Sequence, residues 1–186
     1  MGKNNSNTPL DLLEIGRNVI RMEARAVAQL ADRLDEQFLK AVELIYNCQG
    51  RVIVTGLGKS GAIGRKIAAT LASTGTASYF LHASDGLHGD LGVVHKDDVA
   101  ICLSKSGASD ELFTLLPVFQ RLEVPVIAIT ANPESPLAKN STIVLDIGIK
   151  EEACPHDLAP TTSSTAMLAL GDALAIALLE KRHFTK

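Results

Sequence analysis

Arg51-Val52-Ile53-Val54-Thr55-Gly56-Leu57-Gly58-Lys59-Ser60-Gly61-Ala62-Ile63-Gly64 is the stretch that decides the fold. Val52-Ile53-Val54 is a short β-branched apolar run, which reads as a buried strand. It breaks at Gly56-Leu57-Gly58, and Lys59-Ser60-Gly61 lead into a segment from Ala62 to Leu71 with helical spacing. Strand, glycine-rich turn and helix together aim backbone N–H groups and a helix N-terminus at one point, where an anion is held. Lys59 and Ser60 add a charge and a hydroxyl there, so the expected ligand carries phosphate. A Walker A loop is excluded, because the glycine it needs five residues before Gly58 is Ile53. Gly56, Gly58 and Gly61 do satisfy G-x-G-x-x-G, the dinucleotide pattern. That pattern also wants an acid at the end of the next strand. The next strand, Ser78–Leu81, runs into His82-Ala83-Ser84, and Asp85 arrives late. A sugar-phosphate loop is the third possibility.

Outward from this stretch, strands and helices alternate. Strands are expected at Val52–Thr55, Ser78–Leu81, Val99–Leu103, Val126–Thr130 and Ile143–Ile147. Helices are expected at Ser60–Ser73, Asp110–Arg121 and Thr161–Arg182, with short ones near Asp85–Leu91 and Pro136–Asn140. This alternation is the mark of an α/β fold, a parallel sheet with helices on both faces. Before it, Thr8-Pro9-Leu10-Asp11 reads as a helix start, and the apolar positions of Thr8–Leu30 and Asp35–Tyr46 each fall on one helical face. These two helices can cover a sheet, but their surplus apolar surface favours a subunit contact. The 186 residues make a single domain, with N-terminal helices in 1–48 and an α/β core in 49–186.

Composition excludes several classes. Apolar residues make up 46% of the chain and aromatic ones only 4%, so the core is aliphatic, as helices packed on a parallel sheet require. A net charge of −3, with no basic stripe, leaves no footprint for nucleic acid. No uninterrupted apolar run of membrane-spanning length and no signal peptide is visible. Cys48, Cys102 and Cys154 have no metal-like spacing, and a reduced cytoplasmic protein is expected.

Ligands of such sheets bind at the carboxyl ends of the strands. After the first strand lie Gly58, Lys59, Ser60 and Gly61. After the third come Ser104-Lys105-Ser106-Gly107-Ala108-Ser109-Asp110-Glu111, with three hydroxyls and a lysine where one hydroxyl would suffice to cap a helix. After the fifth come Glu151-Glu152 and the hydroxyl run Thr161-Thr162-Ser163-Ser164-Thr165, either an over-capped helix or the lining of a polyol site. Two phosphate-type loops on neighbouring strands favour one phosphate held from two sides.

Taken together, Gly56-Leu57-Gly58-Lys59-Ser60-Gly61, Ser104-Lys105-Ser106-Gly107-Ala108-Ser109, His88-Gly89-Asp90-Leu91-Gly92, Glu152-Ala153-Cys154-Pro155 and Leu158-Ala159-Pro160-Thr161-Thr162-Ser163-Ser164-Thr165 resemble the sugar-isomerase (SIS) domain, and more narrowly the bacterial arabinose-5-phosphate isomerases. The resemblance covers essentially the whole chain. It implies a three-layer α-β-α sandwich around a five-stranded parallel sheet, a homotetramer with shared sites, and no required cofactor. It implies interconversion of D-ribulose 5-phosphate and D-arabinose 5-phosphate, which feeds synthesis of the sugar Kdo of lipopolysaccharide or capsule. It also implies catalytic roles for Lys59, Glu111 and Glu152.

Those residue types suit the reaction. Aldose–ketose isomerisation passes a proton between adjacent carbons through a cis-enediol, so it needs a carboxylate base and positive charge near the enediolate. The residues alone leave alternatives open. Glu111 could simply favour a helix dipole, Glu152 could be a solvated loop charge, and Lys59 could merely bind phosphate. Which glutamate is the carbon base also stays open. His88 is a candidate for ring opening, since related isomerases use a His-Gly motif. His82, His95, His156 and His183 read as incidental, and no metal site is expected.

The chain departs from the family pattern at Asp85, usually glutamate, and at Lys105, usually asparagine. Full-length relatives continue into a Ser-His-Pro-Gly segment with a further catalytic histidine and then a pair of CBS domains. The expectation is therefore a chain that folds, assembles and binds sugar phosphate, but isomerises slowly or not at all unless His88 or His183 substitutes. Two rivals stand beside this reading. One is a non-catalytic sugar-phosphate-binding module, which would not need the carboxylates. The other is a nicotinamide-dependent oxidoreductase, which leaves the serine loop unexplained.

Overall fold

The computed structural model describes residues 11–87 and 90–185. Two helices, α1 (Leu12–Ala31) and α2 (Glu36–Tyr46), precede the first strand, β1 (Val52–Gly56). Then follow α3 (Gly58–Ser73), β2 (Ser78–His82), α4 (Ala83–Leu87), β3 (Val99–Leu103), α5 (Asp110–Arg121), β4 (Val126–Thr130), α6 (Pro136–Lys139), β5 (Ile143–Asp146) and α7 (Thr162–Lys181). The five strands form one parallel sheet in the order β2-β1-β3-β4-β5. The order reverses between β1 and β3, which makes the crevice above those two strands the switch point where such sheets take their ligands.

The strand residues alternate between two cores. Val52, Val54, Ile101, Leu103, Ile127, Ile129, Ile143 and Leu145 face α1, α2, α3 and α7. Ile53, Ala100, Cys102 and Ala128 face α4, α5 and α6. Small side chains on that second face let α5 come close and seat Phe119, which is fully buried. Truncating it to alanine removes about 3–5 kcal/mol of stability. The Cys102 thiol lies in this layer, and burial pushes its pKa up to about 12, so it serves as a small hydrophobe.

α7 is the hub of the other layer. It is apolar all round and packs against α1, α2 and α3, as a helix inside a large core must. By length and composition it could cross a membrane, although Asp172 interrupts its apolar run. About half of it is buried by the neighbouring helices, and Ile176 remains exposed. Gly171 permits the closest approach, because a Cβ there would run into Ile67 of α3.

The first helix starts later than the sequence reading has it. Thr8 and Pro9 lie outside the described residues, and Asp11 is the N-cap: its Oδ1 accepts the N–H groups of Leu13 and Glu14, each at 3.1 Å. A carboxylate of that reach satisfies the free amides of the first turn, which is why the chain turns helical at Leu12. The segment expected as one short helix over 85–91 is α4 followed by a 3₁₀ turn at Asp90–Val93.

Candidate functional site

Because every strand is parallel, α3, α5 and α7 each begin at the carboxyl edge of the sheet, and each begins differently. At the end of β1, Gly56 lies opposite Leu103 of β3, so the loops that follow these strands are neighbours. α3 opens at Gly58, which has a φ of 49°, and Leu57 before it makes no side-chain cap. Gly61 is needed for packing, since a Cβ there would lie 2.8 Å from the Gly56 carbonyl oxygen. A Cβ at Gly64 would crowd Phe80 and Val54. These glycines thus serve the contact of α3 with its strand. No acid ends β2: its last residue is His82, whose Nδ1 accepts the Ser84 N–H at 3.3 Å. This removes the ribose-binding acid that a dinucleotide reading requires. Lys59 and Ser60 stand in the first turn of α3, Lys59 exposed and Ser60 half-buried. Among the described residues Lys59 forms no ion pair.

The loop after β3 is a compact nest. Ser104 is buried, and its Oγ accepts the Gly107 N–H at 3.0 Å and lies 3.2 Å from Ser109 Oγ. Ser109 occupies the N-cap position of α5 but makes no side-chain cap, so capping does not account for it. Ser106 is exposed, and its Oγ accepts the Ala108 N–H at 3.3 Å. Gly107 has a φ of 62°, and a Cβ there would strike Ser135. The nest is tied to β4, because the Lys105 carbonyl accepts the Ala131 N–H at 3.0 Å and the Thr130 hydroxyl at 3.1 Å. Glu111 lies half-buried in the first turn of α5.

α7 begins in a third way. Its N-cap residue Thr161 makes no cap of its own. Instead Glu152, from the strap after β5, places its carboxylate there. Oε2 accepts the N–H groups of Thr161 at 2.9 Å and Ser163 at 3.0 Å, and Oε1 accepts the Ser163 hydroxyl. The Thr161 and Thr162 hydroxyls each accept the Ala153 N–H at 3.0 Å. Lys105 Nζ reaches Glu152 Oε1 at 3.0 Å and Asp157 Oδ1 at 3.3 Å. The Glu152 side chain is 1% exposed. Burial pushes its pKa up, but the Ser163 hydroxyl, the Ser163 and Thr161 amides and Lys105 outweigh that and bring it down to about 2. Burial pulls Lys105 down, and its bonds to Glu152 and Asp157 more than reverse this.

The structure therefore divides the expected site. Lys59, Ser60, Gly58 and Gly61 on one side and Ser104, Ser106, Ser109 and Glu111 on the other flank the switch point. Lys105, Glu152, Thr161 and Ser163 form a second, mutually bonded group, and Thr162 joins it through the Ala153 amide. Lys105 is thus paired with carboxylates, where phosphate contact was the expectation. The hydroxyls of Thr162 and Ser163 are buried in the join of strap and helix. His88 lies outside the described residues. His95 pairs with Asp97 at 3.1 Å at the opposite edge of the sheet. The sequence reading passed over Asp157, although the extra charge of Lys105 in an otherwise neutral loop called for a counter-charge. Among the described residues no cluster of His, Cys, Asp or Glu could hold a metal.

Comparison with known proteins places these features. A SIS domain model matches residues 44–177. The arabinose 5-phosphate isomerase KdsD of Pseudomonas aeruginosa is 52% identical over 181 residues, covering 97% of this chain and 56% of that protein. The protein of the same name from Salmonella typhi is 49% identical over 175 residues, covering 94% of this chain and 53% of that protein. The chain spans about half the length of these curated relatives. Among solved structures, the E. coli CFT073 protein c3406 in complex with arabinose 5-phosphate superposes with a TM-score of 0.91 at 40% identity, covering 99% of this chain and 96% of that one.

Proposed function

We propose that this chain, which belongs to the SIS domain family, interconverts D-ribulose 5-phosphate and D-arabinose 5-phosphate in the cytoplasm, without a cofactor, and so feeds Kdo synthesis. The observation that carries this reading is the pair of loops at the switch point, 58–61 and 104–109, each opening a helix that has no side-chain cap of its own. The names of the relatives agree with it.

The phosphate is held by backbone N–H groups of both loops and by the hydroxyls of Ser60, Ser104, Ser106 and Ser109. Glu111 takes the carbon-bound proton from the aldose C2, leaving a cis-enediolate. The Lys59 ammonium stabilises its developing charge. The proton returns to C1 as the carbonyl forms at C2, and the proton on oxygen moves from O2 to O1. Glu152 is a poor carbon base at neutral pH, because a base works best with a pKa near the working pH. Its role is to hold Lys105 and the start of α7, with catalysis depending on it through that placement. His88 opens the furanose ring.

Incubating the protein with ribulose 5-phosphate and following arabinose 5-phosphate by NMR tests the reading; no arabinose signal at high enzyme concentration overturns it. One observation favours a second reading. Glu152 is wholly engaged in fastening a helix, so its presence does not by itself require catalysis, and a sugar-phosphate-binding module is the alternative. Binding of arabinose 5-phosphate without turnover identifies that case. We also assign a homotetramer, on the exposed Leu12, Leu13, Ile15 and Ile20 of α1 and Leu39 of α2; sedimentation as a monomer at micromolar concentration contradicts it.

A further inference from the structure

The strap between β5 and α7 contains two consecutive non-glycine residues with left-handed backbone, His156 at φ 69° and Asp157 at φ 55°. Elsewhere among the described residues such positions occur singly, at Glu123 and His183, each directly after the C-cap of a helix. A left-handed residue there is a common way to end a helix. His156 and Asp157 have no such reason, and the conformation costs free energy for any residue with a Cβ. What it achieves is the placement of one carboxylate. Asp157 Oδ1 accepts the Glu152 N–H at 2.9 Å and lies 3.3 Å from Lys105 Nζ, and Oδ2 lies 3.4 Å from the same nitrogen. Lys105 belongs to the loop after β3, and Asp157 to the strap after β5, so their bond spans the end of β4 between them.

We propose that Asp157 is a positioning residue for the isomerase reaction: it latches the strap to the loop after β3 by holding Lys105 Nζ and the Glu152 amide together. The proposal rests on the isomerase reading above. Lys105 is one cation over two carboxylates, and Asp157 is the one of the two that can be lost without opening the start of α7. Without it, the ammonium leans wholly on Glu152, and one strap carboxylate in place of two holds the loop after β3. Small displacements of groups around a reacting centre are costly in rate.

The test compares Asp157→Gly, which keeps the left-handed backbone and removes the carboxylate, with Asp157→Asn, which keeps backbone and acceptor but removes the charge. Lys105→Asn and the Lys105→Asn/Asp157→Gly double variant complete a cycle. With ribulose 5-phosphate, the glycine variant is expected to lose about tenfold in kcat/KM, mostly in kcat, and the asparagine variant less. The unfolding midpoint should stay within a few degrees, since glycine relieves the backbone. The double variant should lose no more than the worse single one. A glycine variant within about twofold of wild type, or single effects that multiply in the double variant, overturns the proposal. If the wild-type protein shows no turnover, the isomerase reading is what has failed. The latch is then read from hydrogen exchange at the Glu152 amide: faster exchange in Asp157→Gly supports it, and unchanged exchange overturns it.

Discussion

The start of α7 and the starts of α3 and α5 face the same edge of the same sheet, yet only one of them is closed by the protein itself. At α7 the Glu152 carboxylate accepts two main-chain amides and a hydroxyl and is held from its other side by Lys105. At α3 and α5 the N-cap residues Leu57 and Ser109 make no side-chain cap. The physics is common to all three: the first amides of a helix, aligned with its dipole, favour an anion. The difference lies in who supplies it. A buried internal carboxylate makes α7 a fixed wall, while the two neighbouring starts, lined by serines, suit an anion that comes and goes. Their neighbours differ too. α7 is fastened by a strap at some cost in backbone strain, whereas the nest after β3 closes on itself through Ser104, Gly107 and Ser109.

The largest expected effect tests the closed end. Glu152→Gln removes the charge that five donors surround, and should cost on the order of 3 kcal/mol at pH 7. For a domain of this size that lowers the unfolding midpoint by about 6–12 °C. The pH dependence sharpens the assignment. Folding depresses the pKa of Glu152 from its ordinary value of 4.5 to about 2. Its stabilisation is therefore complete above about pH 5 and is lost as pH falls toward 2. The gap between wild type and variant, followed by circular dichroism, should close over that window; a gap that persists at pH 2 means that packing, not charge, holds α7.

Gly61→Ala probes the α3 end. The added Cβ meets the Gly56 carbonyl, so α3 must move away from β1, and about 1–2 kcal/mol of stability should go even after the better helix propensity of alanine. The apparent KM should rise with it, because the first turn carries Ser60 and Lys59. Ser106→Ala is gentler on the fold. The Ser106 side chain is exposed, so the midpoint should hold while calorimetry shows affinity for arabinose 5-phosphate weakened roughly tenfold. Equal affinity removes Ser106 from the phosphate site and weakens the contrast drawn between α5 and α7. The smallest effect is a control. Asp11→Ala removes an ordinary cap from α1, where the carboxylate is exposed and serves its own helix, and should cost about 1 kcal/mol in urea unfolding. A loss as large as that of Glu152→Gln would mean that burial adds nothing to a capping carboxylate.

Much of this was legible in the residues. Val52–Val54, Val99–Leu103 and Val126–Thr130 are apolar runs that can only be strands buried on both faces, and the glycines and serines after them mark the ligand edge. All five strands and the helices α2, α3, α5 and α7 stand within a residue or two of where the periodicity puts them, while α1 starts at Leu12 and not at Thr8. Two things were not legible. Ser109 reads as a cap by position, yet its hydroxyl turns to Ser104 because Gly107 folds the loop back on itself. Lys105 reads as a phosphate ligand by its company, yet it points across the end of β4 to carboxylates, one of which, Asp157, lies 52 residues further along the chain.

The layers, the parallel order of strand and helix, and the edge at which chemistry belongs are readable along the chain, because they follow from local periodicity and from what a glycine or serine does to the backbone around it. Which polar side chains stay free at that edge and which bond each other is settled by the packing of distant segments. Glu152, Thr162 and Ser163 have the composition of a binding site, but the fold brings β5, its strap and α7 to one point, where a buried carboxylate must find donors and these are the ones within reach. Partner choice among buried polar groups is set by distances between segments far apart in the chain, and no local pattern encodes them.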